Sequence, residues 1–113
     1  MNEDDLARLH HMLDAAREAI TFSAGKTFDD LIQDRMLLLS LVKELEIIGE
    51  AASRMSPEGR ASVGGIPWAQ ITGMRNRLTH GYFDWRTERI WETVVTDLPD
   101  LVRVLETAIS SLH

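Results

Sequence analysis

Leu6, Leu9, Leu13, Ala16 and Ile20 recur at three- and four-residue spacing near the start of the chain. That spacing turns one helix face to a core and predicts a first helix from about Glu3 to Phe22. Gly25 is placed to cap its end. Thr27, with Asp30 three positions on, has the form of a capping box and opens a long second helix to about Met55. This helix carries apolar residues on more than one side, among them Leu31, Ile32, Leu37, Leu41, Leu45 and Ile48. A helix apolar on two sides is buried on two sides, so in a short chain the spare face suggests a partner subunit. Residues 56–66, SPEGRASVGGI, read as the one clear loop. Pro67 suits the first position of a third helix, which runs through Trp68, Ile71, Met74 and Leu78 to about His80, where Gly81 interrupts it. Thr87 can cap a fourth, carrying Ile90, Trp91, Val94, Leu98, Leu101, Leu105 and Ile109, with Pro99 expected to kink or split it. No strand pattern or internal repeat is present. The expectation is an all-α fold, an up-and-down antiparallel bundle of four main helices.

Composition changes this picture little. At 113 residues the chain is read as a single domain, 1–113, able to bury a core without a structural metal. It contains no cysteine, which excludes disulfides, thiolate metal sites and cysteine nucleophiles, and fits a cytoplasmic protein. The N-terminus has no basic and apolar leader pattern, and no apolar run approaches the ~20 residues of a membrane span. Charge adds more. The net charge of −6 argues against broad non-specific nucleic-acid binding, and no DNA partner is expected. Yet Arg75, Arg77, Arg86 and Arg89 gather within fifteen residues against only Asp84 and Glu88. A small basic patch on an acidic body can still grip a phosphate.

The chemistry concentrates in GMRNRLTHGYFDW, residues 73–85. At about 100° per residue, Ile71, Met74 and Leu78 share the core stripe, while Asn76 and His80 fall together on the other side. An Asn76 oxygen could fix the tautomer and aim of the His80 imidazole. Arg75 sits about 140° around the helix from His80, so bringing the two together needs a long reach, a distorted helix end or a second subunit. Arg75 and Tyr82, seven apart, line up if the helical path continues. An imidazole with an ordinary pKa near ~6.5 moves protons at neutral pH, and a guanidinium grips phosphate. RNA cleavage is the natural reaction for such a pair, because the ribose 2′-hydroxyl supplies the nucleophile and no metal is needed. Taken alone, Arg-x4-His also describes an ordinary solvated helix face.

Other residues have plainer readings. Glu46, Glu50 and Arg54 form either a solvated face with an i,i+4 ion pair, or the wall of a cleft in which a glutamate bonds Arg75. His10 and His11 cannot share a helix face, and no metal site is expected. Trp68 and Trp91 fall at core positions; Trp85 packs or stacks a base, with packing favoured. The glycines of SVGGIP lack the lysine of a phosphate-binding loop.

GMRNRLTHGYFD, with the upstream LEIIGEAA and downstream IWETVVTDLPDL, resembles the HepT-like branch of the HEPN domain superfamily along nearly the whole chain. The resemblance implies a metal-independent endoribonuclease toxin that needs no cofactor. Arg75 and His80 would be its catalytic pair and Asn76 a supporting residue. It further implies a homodimer with the motifs meeting near the interface, and an MntA-like nucleotidyltransferase antitoxin that adenylylates Tyr82. The rival reading is a non-catalytic subunit presenting nucleotide or substrate to a nucleotidyltransferase, with Arg75 and His80 as phosphate ligands. A phosphorelay role for His80 is disfavoured by the Gly81-Tyr82-Phe83 that follows it.

Overall fold

The first four helices each start on a polar residue whose side chain accepts from a free backbone N–H of the first turn. In the computed structural model, which describes residues 1–80 and 86–112 and only the backbone of His80, the Asn2 side chain accepts from Asp5 N at 2.7 Å and opens α1, Glu3–Ser23. Gly25, at φ 74°, ends it as expected, in a conformation that favours glycine. The Thr27–Asp30 capping box is present in both directions, at 3.1 and 2.8 Å, and starts α2, Phe28–Gln33.

The expected long second helix is broken at Asp34. There the backbone turns extended (φ −121°, ψ 95°) and the carboxylate accepts from Leu37 N at 3.1 Å, capping a separate α3, Arg35–Ser53. A short polar side chain that bonds nearby backbone competes with helix continuation, and here it wins. The expected loop also contains a helix, α4, Pro57–Ser62, with Ser56 as its cap and Pro57 in its first turn. Asp5 accepts from the backbone N of Ser56 at 2.9 Å and from its hydroxyl, pinning the start of α1 to this turn. Those hydrogen bonds hold the buried Asp5 carboxyl below its usual range.

α5 runs Trp68–His80, with Pro67 just outside it, its carbonyl accepting from Ile71 N. α6, Thr87–Glu92, has Arg86 rather than Thr87 at its cap position, and no side-chain cap. It continues through a π-helical turn, Thr93–Asp97, into α7, Leu98–Leu112. The interruption expected at Pro99 therefore lies one turn earlier. Proline lacks an N–H and crowds the carbonyl four residues back, so it is the preceding turn that widens.

α1 packs against α3 and α7, and α3 also packs against α5. Leu9, Met12, Leu41, Leu45, Ile48, Val94 and Leu105 are fully enclosed at the centre, each contributing about 1.5–3 kcal/mol of burial. α3 is apolar on two sides because α1 covers one and α5 the other. What it leaves outside is Met36 and Leu39, and Ile32 of α2 is exposed as well. No strand occurs among the described residues, and none of their helices is long and apolar enough to cross a membrane.

Candidate active site

α4 sets the position of α5. Arg60 donates to the carbonyls of Met55 and Ser53 (3.1 and 3.4 Å) at the end of α3 and just past it, and its own carbonyl accepts from Trp68 Nε1 at 3.2 Å. α5 is thereby laid along α3, and the two meet at Gly49 and Arg75. A Cβ built on Gly49 would stand 2.2 Å from Arg75 Cβ and 2.9 Å from its Cγ. Gly49 thus makes room for the stem of the arginine, at the usual cost of about 1 kcal/mol for glycine inside a helix.

The guanidinium is held from two sides. Glu50 Oε2 accepts from Arg75 Nε at 3.0 Å and from Nη2 at 2.7 Å, and Asn76 Oδ1 accepts from Nη1 at 3.2 Å. Three of the five N–H groups of a guanidinium are so engaged, leaving two to meet a ligand. The Arg75 side chain remains 32% exposed, so a phosphate can reach them. Glu50 Oε1 accepts from Arg54 Nε at 2.9 Å. The Arg75 hydrogen bonds, with smaller help from Arg54, keep the Glu50 carboxyl below its ordinary range. One carboxylate between two arginines leaves a net positive charge beside the exposed face of α5.

Both sequence readings of Glu50 therefore hold: it forms the i,i+4 pair with Arg54 and it bonds Arg75. Glu46 forms neither contact among the described residues. Asn76, expected to aim His80, contacts Arg75. His80 ends α5, with only its backbone described; Tyr82 and Trp85 lie outside the described residues. No group of three or more histidines, aspartates or glutamates that could hold a metal occurs among the described residues.

Residues 12–108 match the family model described as ribonuclease HepT-like. The chain belongs to the HepT-like ribonuclease family. It is 38% identical over 93 residues, 82% of this chain and 83% of the relative, to a provisionally named RNase of Caldanaerobacter subterraneus. It is 30% identical to a provisionally named RNase of Methanocaldococcus jannaschii, across 91% of this chain and 94% of the relative. A provisionally named ribonuclease HepT of Thermococcus cleftensis is 34% identical over 71% of this chain and 73% of its own length. No solved structure matches at a significant level. Within this HepT-like helical bundle, Gly49 is the site residue that sequence reasoning overlooked. Its signal was a glycine in the interior of a strongly apolar helix, which a packing need accounts for.

Proposed function

We propose that the protein is a metal-independent endoribonuclease toxin in which Arg75 and His80 are the catalytic pair and Asn76 a supporting residue. Membership of a ribonuclease family supports RNA cleavage, and the observation that carries the site is the bracing of Arg75 by Glu50 and Asn76 with two N–H groups left over. In the proposed step the 2′-oxygen bonds to phosphorus while His80 takes the 2′-hydroxyl proton. The bond from phosphorus to the 5′-oxygen breaks, and that oxygen leaves with a proton from solvent. Arg75 offsets the charge that builds on the phosphoryl oxygens. A 2′,3′-cyclic phosphate and a free 5′-hydroxyl result.

The protein acts as a homodimer in this reading. Ile32, Met36 and Leu39 are 59, 79 and 40% exposed, and on α3 the stripe of Met36 and Leu39 continues through Lys43 to Glu50 and Arg54. Pairing along that stripe sets two sites near one interface. The regulator is an MntA-like nucleotidyltransferase antitoxin that transfers AMP to Tyr82, in the cytoplasm. An AMP there adds a bulky anion able to fill the phosphate position at Arg75.

The test is cleavage of single-stranded RNA by purified protein, with cyclic phosphate ends scored. Arg75→Ala and His80→Ala are each expected to lower kcat at least a hundredfold with helicity unchanged. Wild-type cleavage by His80→Ala would end this mechanism. Nucleotide binding without cleavage by wild type would favour the non-catalytic subunit instead.

A further inference from the structure

Arg75 and Arg77 leave α5 in opposite directions, since two residues turn a helix by about 200°. Arg75 goes to α3. Arg77 points into a groove of about 1100 Å³ between α5 and the helix formed by α6, the π-helical turn and α7. Its Nη1 lies back over Gly73, at 3.7 Å from where a Cβ would stand. The floor of the groove is apolar, with Ile71, Met74, Leu78 and Ile90. Arg77, Arg86 and Arg89 line the groove and are exposed. Among the described residues none of these three forms an ion pair, whereas Arg17, Arg54, Arg75 and Arg103 are all paired. Glu92 of α6, one turn after Arg89, Asp97 of the π-helical turn and Asp100 of α7 line the same groove.

We infer that this groove seats the RNA strand flanking the cleaved phosphate, with phosphates on Arg77, Arg86 and Arg89 and a base against the apolar floor. The inference rests on the ribonuclease reading of Arg75 and His80. Three guanidiniums with no ion pair among the described residues fit a polyanion better than they fit an acidic protein surface of fixed shape, because each phosphate can settle on its own arginine. Single-strand sites stack bases on aromatic rings while the backbone follows the charge; this floor is aliphatic, so a base gains apolar contact there rather than ring stacking. Glu92, one helical turn from Arg89, and Asp97 and Asp100 beyond it repel phosphate, which limits the seat to a short stretch of strand. Crossing the outer side of α5, about 10–12 Å, joins the groove to Arg75.

The probes are an RNA decamer and its uncleavable 2′-O-methyl form, with the triple variant Arg77→Gln, Arg86→Gln, Arg89→Gln. The triple Arg8→Gln, Arg17→Gln, Lys26→Gln, outside the groove, controls for bulk charge. The groove variant is expected to raise KM at least tenfold with kcat within twofold. It should also flatten the plot of log Kd against log salt by about two, at roughly 0.7 per phosphate lost. A decamer of abasic ribose phosphates should bind wild type at least tenfold more weakly than RNA; equal binding overturns the seating of a base. Unchanged KM and salt slope, or an equal loss in the control triple, overturns the groove and leaves the ribonuclease reading standing. Should wild type cleave no RNA, that reading fails, and the methylated decamer decides the groove alone. Binding lost only in the groove variant then supports it, and equal binding overturns it.

Discussion

Glu44 and Glu50 stand six residues apart on α3 and end up in opposite electrostatic states. Glu50 faces α5, where Arg75 and Arg54 hold it ionised well below the usual carboxylate range. Glu44 faces α1, is 4% exposed, and has an Oε2 with no hydrogen-bond partner among the described residues. Burial first, then its hydrogen bond and charge repulsion with Glu18, push its carboxyl up to about 7, against a weaker opposing pull from Lys43. The same side chain on the same helix is thus a rigid anion on one side and a reluctant one on the other. The face toward α5 is organised around the Arg75 guanidinium, the cation proposed above to meet phosphate. The face toward α1 tolerates an acid at a cost to stability.

The contact that separates the two faces most sharply is Gly49. In Gly49→Ala the new methyl lies 2.2 Å from Arg75 Cβ, and neither atom is the free end of a flexible chain. α5 has to move, and a displacement near 1 Å in a catalytic group can lower a rate by about a hundredfold. Overpacking should also cost about 1–3 kcal/mol of stability. RNA cleavage and denaturant unfolding measured together check this. Wild-type activity would mean that the close approach of α3 and α5 does not position Arg75.

Next in size is the anchor itself. Glu50→Ala removes the acceptor for two of the three bonds on Arg75, so the guanidinium is freed while its charge is less offset. The expected result is a kcat about tenfold lower with KM unchanged or reduced, because a looser but more positive group binds phosphate no worse. Glu50→Gln should recover part of the loss, since its amide oxygen still accepts from Arg75. A rise in KM with kcat intact would assign Glu50 to substrate binding and not to positioning.

How far these features were legible in the sequence follows from how local they are. The capping box at Thr27, the turn at Gly25 and the stripe of α1 depend on neighbours within a few residues, and all are read correctly. The break at Asp34 and the helix at Pro57 also have local signals, a helix-capping aspartate and a Ser-Pro-Glu start. The apolar run around the first and the glycines around the second obscured them. Gly49 and Glu44 are different. Nothing near Gly49 reveals that Arg75 crosses it, and nothing near Glu44 reveals that Glu18 of α1 lies opposite. Each takes its meaning from the register between two helices, which periodicity leaves open. The Arg75–Glu50 bond was one of two readings for the same reason, and only the packing of α5 on α3 selects it.

The smallest effect expected lies on the α1 side and should leave cleavage untouched. Glu44 titrates near 7 in the folded protein and near ~4.3 in an unfolded chain. Between these values the folded state keeps a proton that the unfolded state has released. Stability therefore falls as pH rises from about 4.5 to 7 and then levels, the reverse of the usual behaviour of a paired carboxylate. Glu44→Gln carries no such penalty, and its amide can still donate to Glu18. The variant should match wild type near pH 4.5 and exceed it by about 1 kcal/mol at pH 8, a figure well below the full shift because relaxation and water entry soften the burial cost and solvent screens the exposed Glu18. Unfolding curves at the two pH values measure the difference. A gain of equal size at both would mean that packing, and not the trapped proton, separates the two sides of α3.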